Sequence, residues 1–157
     1  MNETAADSIT PVKVDIWSDV QCPWCYIGKR RFEAAVDSSG VAVEIEYHSF
    51  ELAPDTPVEY EGTPLQFLSE RKGLPMPQVE DLADIAASIG FDRDEVVNAL
   101  ESSEYLPAVK ADMEVAMQYG IQGVPFFVID GKYGVSGAQE SETFANVLTQ
   151  VLTERDA

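Results

Sequence analysis

Two sulfurs three residues apart are the first groups in this sequence that could do chemistry. The stretch "SDVQCPWCYIGKRRF", residues 18–32, holds both cysteines of the 157-residue chain, Cys22 and Cys25, with Pro23 and Trp24 between them. Two cysteines are too few for the disulfide framework by which small secreted domains compensate for a thin core. Chance would seldom place the only two at this spacing, which leaves a redox dithiol or half of a metal site. A closed zinc site takes four ligands. The chain offers two cysteines and one histidine, His48, so a carboxylate or a second subunit would have to complete it, as in a non-catalytic zinc-clasped dimer. A dithiol needs nothing more.

The dithiol reading depends on what holds the pair. "VKVDIW", from Val12, alternates apolar and polar residues and predicts a strand. "PWCYIGKRRFEAAVDSSG" predicts a helix with Pro23 in its first turn and Gly40 at its stop. Cys22 then falls where strand gives way to helix, so its sulfur should meet free backbone N–H groups and the positive end of the helix dipole. Thiols so placed have pKa values lowered from about 8.5 to roughly 3.5–7.5. Cys25 lies one turn on, on the same helix face and within reach of a disulfide. By this geometry Cys22 is the exposed attacker and Cys25 the more buried resolver.

Further elements follow by period. Val41, Val43, Ile45 and Tyr47 share one face of a second strand, completing a β-α-β unit whose strands should be parallel. "ELAPDTPVEYEG" reads as a loop. Helices are expected at 64–73; along Val79, Leu82, Ala86 and Ile89; after Asp92, with Glu95 closing a capping box and Phe91 stapled onto Val96; and along Tyr105, Val109, Met113 and Met117, taken as helix-packing core. "VPFFVID" and "YGVSG" then pair as a hairpin about Asp130-Gly131. Phe144, Val147, Leu148, Val151 and Leu152 form the apolar stripe of a closing helix. The third strand should run antiparallel to the first, which brings Pro125 beside Cys22. The expectation is one α/β domain over 1–157 with a helical insertion at about 63–119.

Composition limits the partners. With 28 acidic against 10 basic residues the net charge is −18, a field that repels nucleic acid and anionic membrane surfaces. It is read as a solvated surface or an adaptation to a salty cytoplasm. The first residues show no basic-then-apolar leader, and no apolar run approaches a membrane span. A cytoplasmic protein is expected, in which reduced thiols favour catalysis over a structural staple.

Three stretches, "DIWSDVQCPWCYIGKRRFE", "HSFEL" and "GIQGVPFFVIDGKYGVSGAQ", together resemble the thioredoxin superfamily, and within it the DsbA-like family and its FrnE-like proteins. The resemblance covers most of residues 12–152. It implies a thioredoxin-like fold, β-α-β then β-β-α with an α-helical insertion between the halves. It implies a dithiol-disulfide oxidoreductase that works through Cys22 and Cys25 without a bound cofactor, with glutathione open as a co-substrate. It also implies a cis peptide at Pro125, where the backbone of Val124 would pair with an extended substrate. The substrate is a disulfide or dithiol, protein or small molecule. FrnE-like members carry a longer insertion with a histidine-containing stretch absent here, so this is either a naturally short form or one with a deletion near "GLPMPQVEDLADI". Apolar Leu65, Phe67, Leu68 and Met76 would then be left for a second subunit of a homodimer to cover. The same kinship raises an alternative, a glutathione-dependent isomerase of the chromene-carboxylate type. Those relatives generally lack the second cysteine, so Cys25 argues against it.

Around the pair, Asp19 is read as an exposed turn residue, with a proton shuttle as the sharper alternative. His48 is read as solvated because it shares its strand with Glu44 and Glu46, and Lys29, Arg30 and Arg31 as a solvated helix face. Trp24, with Pro23, is assigned to the substrate groove and to tuning the redox potential, against packing alone.

Overall fold

Strong apolar alternation and well-placed stop signals give the elements their bounds in the computed structural model, which describes residues 10–20, 22–52, 79–102 and 104–157. In chain order these are β1 (Val12–Ser18), α1 (Pro23–Ser39), β2 (Val43–Ser49), α2 (Val79–Ser88), α3 (Arg93–Glu101), α4 (Leu106–Gln118), β3 (Phe126–Ile129), β4 (Tyr133–Ser136) and α5 (Ser141–Arg155). The loop at 51–62 falls almost wholly outside the described residues. The expected helix at 64–73 and the apolar set Leu65, Phe67, Leu68 and Met76 lie outside them entirely.

The four strands lie in the order β2-β1-β3-β4. β1 and β2 are parallel, Ile16 beside Tyr47 and Trp17 beside His48. β3 returns antiparallel with Phe126 opposite Trp17, so the start of β3 and the end of β1 share one edge. The β3–β4 hairpin turns through Asp130 and Gly131, both at positive φ, where glycine costs nothing and aspartate little. α1 stops at Gly40, whose left-handed backbone lets its N–H bond the carbonyl of Val36.

Alternation along β1 divides the core between the two faces of the sheet. On one, Val12, Val14 and Ile16 pack with Phe127 and Ile129, under Phe32 of α1 and Phe144, Leu148 and Val151 of α5. On the other, Trp17 and Val128 meet Ala116 of α4 and Ile121. β2 contributes less than its pattern suggests. Ile45 and Tyr47 are exposed, because β2 is an edge strand and the sheet face is covered by α1 and α5 mainly over β1 and β3.

The chain divides into two compact units, Met1–Leu52 with Ala111–Ala157, and Ala53–Lys110. In the second, the Asp92 carboxylate caps α3 by accepting from the N–H groups of Asp94 and Glu95, as the sequence predicts. Phe91 is well exposed and does not act as a buried staple. Ile89 is exposed, and Ala83 of α2 is fully buried. Tyr105 and Met117 are likewise exposed, while Val109 and Met113 are half-buried and Ala116 is fully buried, so the predicted stripe of α4 holds in its middle and fails at its two ends.

Candidate active site

Cys22 is the N-cap residue of α1, and Pro23 takes the first helical position, where its missing N–H costs nothing. The sulfur does not cap the helix. The turn Asp19–Cys22, closed by the Cys22 N–H to the Asp19 carbonyl at 3.0 Å, aims it across the edge instead, where the thiol donates to the carbonyl of Val124 at 3.6 Å. In place of the expected helix N–H groups, the partner of the sulfur is the Val124 carbonyl. The Val124–Pro125 peptide is cis, and the Pro125 carbonyl accepts the N–H of Gly137 at 2.8 Å, tying this loop to the end of β4.

Cys25 follows one turn on, its N–H on the Cys22 carbonyl at 3.0 Å. Both cysteines are free. The expected contrast in access is nearly absent: Cys22 is 9% exposed and Cys25 7%. Their surroundings differ more. Burial pushes the Cys25 thiol pKa up; the Asp19 backbone N–H and the Ser18 side chain pull it down without reversing the shift, and Cys22 beside it adds to the rise.

The other predicted residues are distributed unevenly. Asp19 borders a cleft beside the cysteines, and its carboxylate accepts the N–H of Leu52 at 3.2 Å. Trp24 projects outward, 60% exposed, and the ring bordering that cleft from α1 is Tyr26. Lys29 and Arg30 both pair with Glu33. Arg31 is half-buried rather than simply solvated: it donates to the Ala138 carbonyl at 2.6 Å and pairs with Glu140 at 2.9 Å, fastening α1 to the start of α5.

His48 differs most from its reading. Its Nε2 lies 2.9 Å from Asp15 and its Nδ1 3.0 Å from Asp112 of α4, and the ring stacks on Trp17 at 4.4 Å and 19°. Asp112 also accepts the Ser49 N–H at 2.8 Å, and its own carbonyl takes the Trp17 indole N–H at 3.2 Å. Burial opposes the charged ring most strongly, yet the two carboxylates together raise the His48 pKa above its ordinary value. Asp15, Glu46 and His48 bring ligand-type atoms within 4.8 Å of one another. The place of a cation there is taken by Lys13, whose ammonium spans Asp15 at 3.1 Å and Glu46 at 2.9 Å.

Sequence reasoning missed Gly28. A Cβ there would stand 2.8 Å from Cγ of Pro125 and 3.5 Å from Ala138, so only glycine lets α1 approach the proline loop this closely. The signal was available, since a glycine inside a helix costs about 1 kcal/mol against alanine and usually has a packing reason.

The family model for a DSBA-like thioredoxin domain matches residues 13–78 and 66–149. Among solved structures, the probable DsbA oxidoreductase SCO1869 of Streptomyces coelicolor is similar at 29% identity and TM-score 0.73, over 91% of each chain. BdbD of Bacillus subtilis shares the fold at 13% identity and TM-score 0.68, over 93% of this chain and 90% of that one. The Bacillus subtilis protein YwbO is 44% identical over 43 residues, 27% of this chain and 20% of that protein.

Proposed function

Since the chain belongs to the DSBA-like thioredoxin domain family, whose fold and Cys-x-x-Cys it carries, we propose that it is a dithiol-disulfide oxidoreductase in which Cys22 exchanges with substrate and Cys25 resolves. One observation carries the order of events. The Cys22 thiol lies against the Val124 carbonyl, on the loop where a substrate backbone pairs, whereas burial pushes the Cys25 thiol pKa up.

In the oxidising direction a substrate thiolate attacks Sγ of Cys22, the Cys22–Cys25 bond breaks, and Cys25 leaves with the electron pair and takes up a proton. A second substrate thiolate then attacks the substrate sulfur of the mixed disulfide and releases Cys22 as a thiolate. Substrate gains a disulfide, and the protein is left as a dithiol. The reductive direction is the same path reversed, with Cys25 attacking Cys22. The raised pKa of Cys25 makes it a ready proton acceptor when it leaves. Asp19, bordering the same cleft, is the group we assign to carry that proton to and from solvent.

Val124 and Pro125 form the ledge against which an extended substrate backbone lies, Val124 offering its main chain for strand-like pairing. The substrate is a protein or peptide disulfide or dithiol, and glutathione fits the same exchange as a co-substrate. We place the reaction in the cytoplasm, since both cysteines of the chain are spent on the reactive pair and none forms a structural disulfide. Among the described residues no helix is long and apolar enough to cross a membrane.

The test is a pair of single mutants. Cys22→Ser should abolish insulin reduction and leave a thiol that alkylates slowly at neutral pH, because a raised pKa means less thiolate. Cys25→Ser should accumulate a mixed disulfide with substrate at Cys22 that dithiothreitol removes. Adducts on Cys25 instead, or equal alkylation rates for the two lone thiols, would overturn the assigned order.

A further inference from the structure

A cleft of about 300 Å3 opens beside the cysteines on the β2 side of β1, away from Val124 and Pro125. Buried Ile16 and the two cysteines line it, together with Tyr26 and Lys29 of α1 and Tyr47 of β2. The sheet order explains why it exists. β2 is the edge strand, and Tyr47 stands beside Ile16 in the parallel register, on the face covered elsewhere by α1 and α5. No described element closes over Tyr47, so a large ring remains 52% exposed next to Tyr26 at 67%.

The charges at its rim are already engaged. The Lys29 ammonium is bound to Glu33, which leaves its methylene stem along the cleft, and the Asp19 carboxylate accepts the Leu52 N–H. What the cleft offers a ligand is apolar area and two phenol groups. Tyrosines presented in this way give large contact at low entropic cost and still bond to a backbone through their hydroxyls. Its volume is at the small end for a binding pocket and suits a side chain rather than a cofactor.

Position supplies the rest. Val124 lies on the β3 side of Cys22 and the cleft on its β2 side, so a peptide that pairs with Val124 and is joined to Cys22 would bring the neighbouring residue toward this cleft. Resting on the oxidoreductase reading above, we propose that the cleft between α1 and β2 is a specificity subsite for an aromatic or branched aliphatic side chain adjacent to the substrate cysteine. Tyr26 and Tyr47 are its specificity-determining residues. An acidic side chain is disfavoured there, both by the apolar lining and by the negative field of a chain with net charge −18.

The experiment uses three disulfide-linked fluorogenic peptides, identical except for Phe, Ser or Asp beside the cysteine, with kcat/KM measured for the wild-type chain, Tyr47→Ala and Tyr47→Phe. One well-filled apolar pocket discriminates by roughly tenfold or more, so the wild type should turn over the Phe peptide about tenfold better than the Ser peptide, with Asp slowest, and the difference should lie in KM. Tyr47→Ala should bring the Phe-to-Ser ratio to within about twofold, and Tyr47→Phe should restore most of it. A wild-type ratio near one, or a Tyr47→Ala loss equal for all three peptides, overturns the subsite. A chain that exchanges with none of them overturns the oxidoreductase reading instead. The subsite is then read separately by titrating the Phe and Asp peptides, with serine in place of cysteine, and following NMR shifts at Tyr26 and Tyr47. Shifts at both residues with the Phe peptide and not with the Asp peptide support it, and equal or absent shifts reject it.

Discussion

On one face of the sheet Phe32, Phe127 and Phe144 meet ring against ring at 4.7 to 5.5 Å within a cluster of apolar side chains. On the other, Asp15, His48 and Asp112 form a hydrogen-bonded row backed by Trp17. Both faces fasten helices to the same strand, β1, but by different means. The first draws on area removed from water and close-packed contacts, which are indifferent to pH and direction. The second depends on a charge state and on three side chains from distant parts of the chain being correctly aligned, so it is conditional where the first is not.

Breaking the apolar face should cost most. Phe144→Ala removes a fully buried ring with two aromatic neighbours, and should lower stability by about 3–5 kcal/mol. The loss should be the same at pH 6 and pH 8.5 by urea denaturation.

Breaking the polar row should cost less and show its conditional nature. A hydrogen bond to a charged partner is worth about 1.5–3 kcal/mol, so Asp112→Asn should lose roughly that at pH 6. The sign follows from the raised folded-state pKa of His48. Its stabilising contribution is complete below the unfolded value of about 6.5 and disappears as pH rises through the folded value. Wild-type stability should therefore fall across that window, and Asp112→Asn should flatten the slope. His48 is the only histidine of the chain, so His48→Gln should flatten it as well. A slope unchanged in both variants would mean that the row is not the pH-sensitive element.

The smallest effect on stability, and the sharpest on exchange, is expected at Gly28. In open helix, Gly→Ala gains roughly 0.5–1 kcal/mol. Here the new methyl meets the Pro125 ring, and overpacking of that kind costs about 1–3 kcal/mol, so the net change should be a loss of at most about 2.5 kcal/mol. Insulin reduction should drop several-fold, since the Pro125 loop must shift relative to Cys22. A variant with raised stability and full activity would show that the loop yields freely.

These differences also explain what the sequence made legible. The elements carrying the cysteine pair and the hairpin were readable because period, caps and the Asp130-Gly131 turn act over a few residues. So was the placement of Pro125 near Cys22, which follows from strand direction alone. The role of His48 was not readable. Glu44 and Glu46 on its own strand suggested water, while the partner that buries it, Asp112, lies 64 residues further on. Tyr47 misled in the opposite sense. Period two correctly marked a strand face, but period cannot tell whether a helix will cover an edge strand. Tyr105 and Met117 fit the period of a helical stripe whose middle, Val109 and Met113, is half-buried, but period alone does not show that its two ends stand in solvent.

The two tryptophans stand at opposite ends of this contrast. Trp17 is sealed against the imidazole of His48, and Trp24, between the two cysteines in sequence, is open to solvent. An indole is quenched by a cationic ring stacked on it, and also by a nearby disulfide. The blue-shifted emission of the sealed ring should therefore follow the protonation of His48, and the red-shifted emission of the open one the redox state of the Cys22–Cys25 pair. The molecule thus carries two internal optical probes, separable by wavelength, one for proton activity and one for electron occupancy.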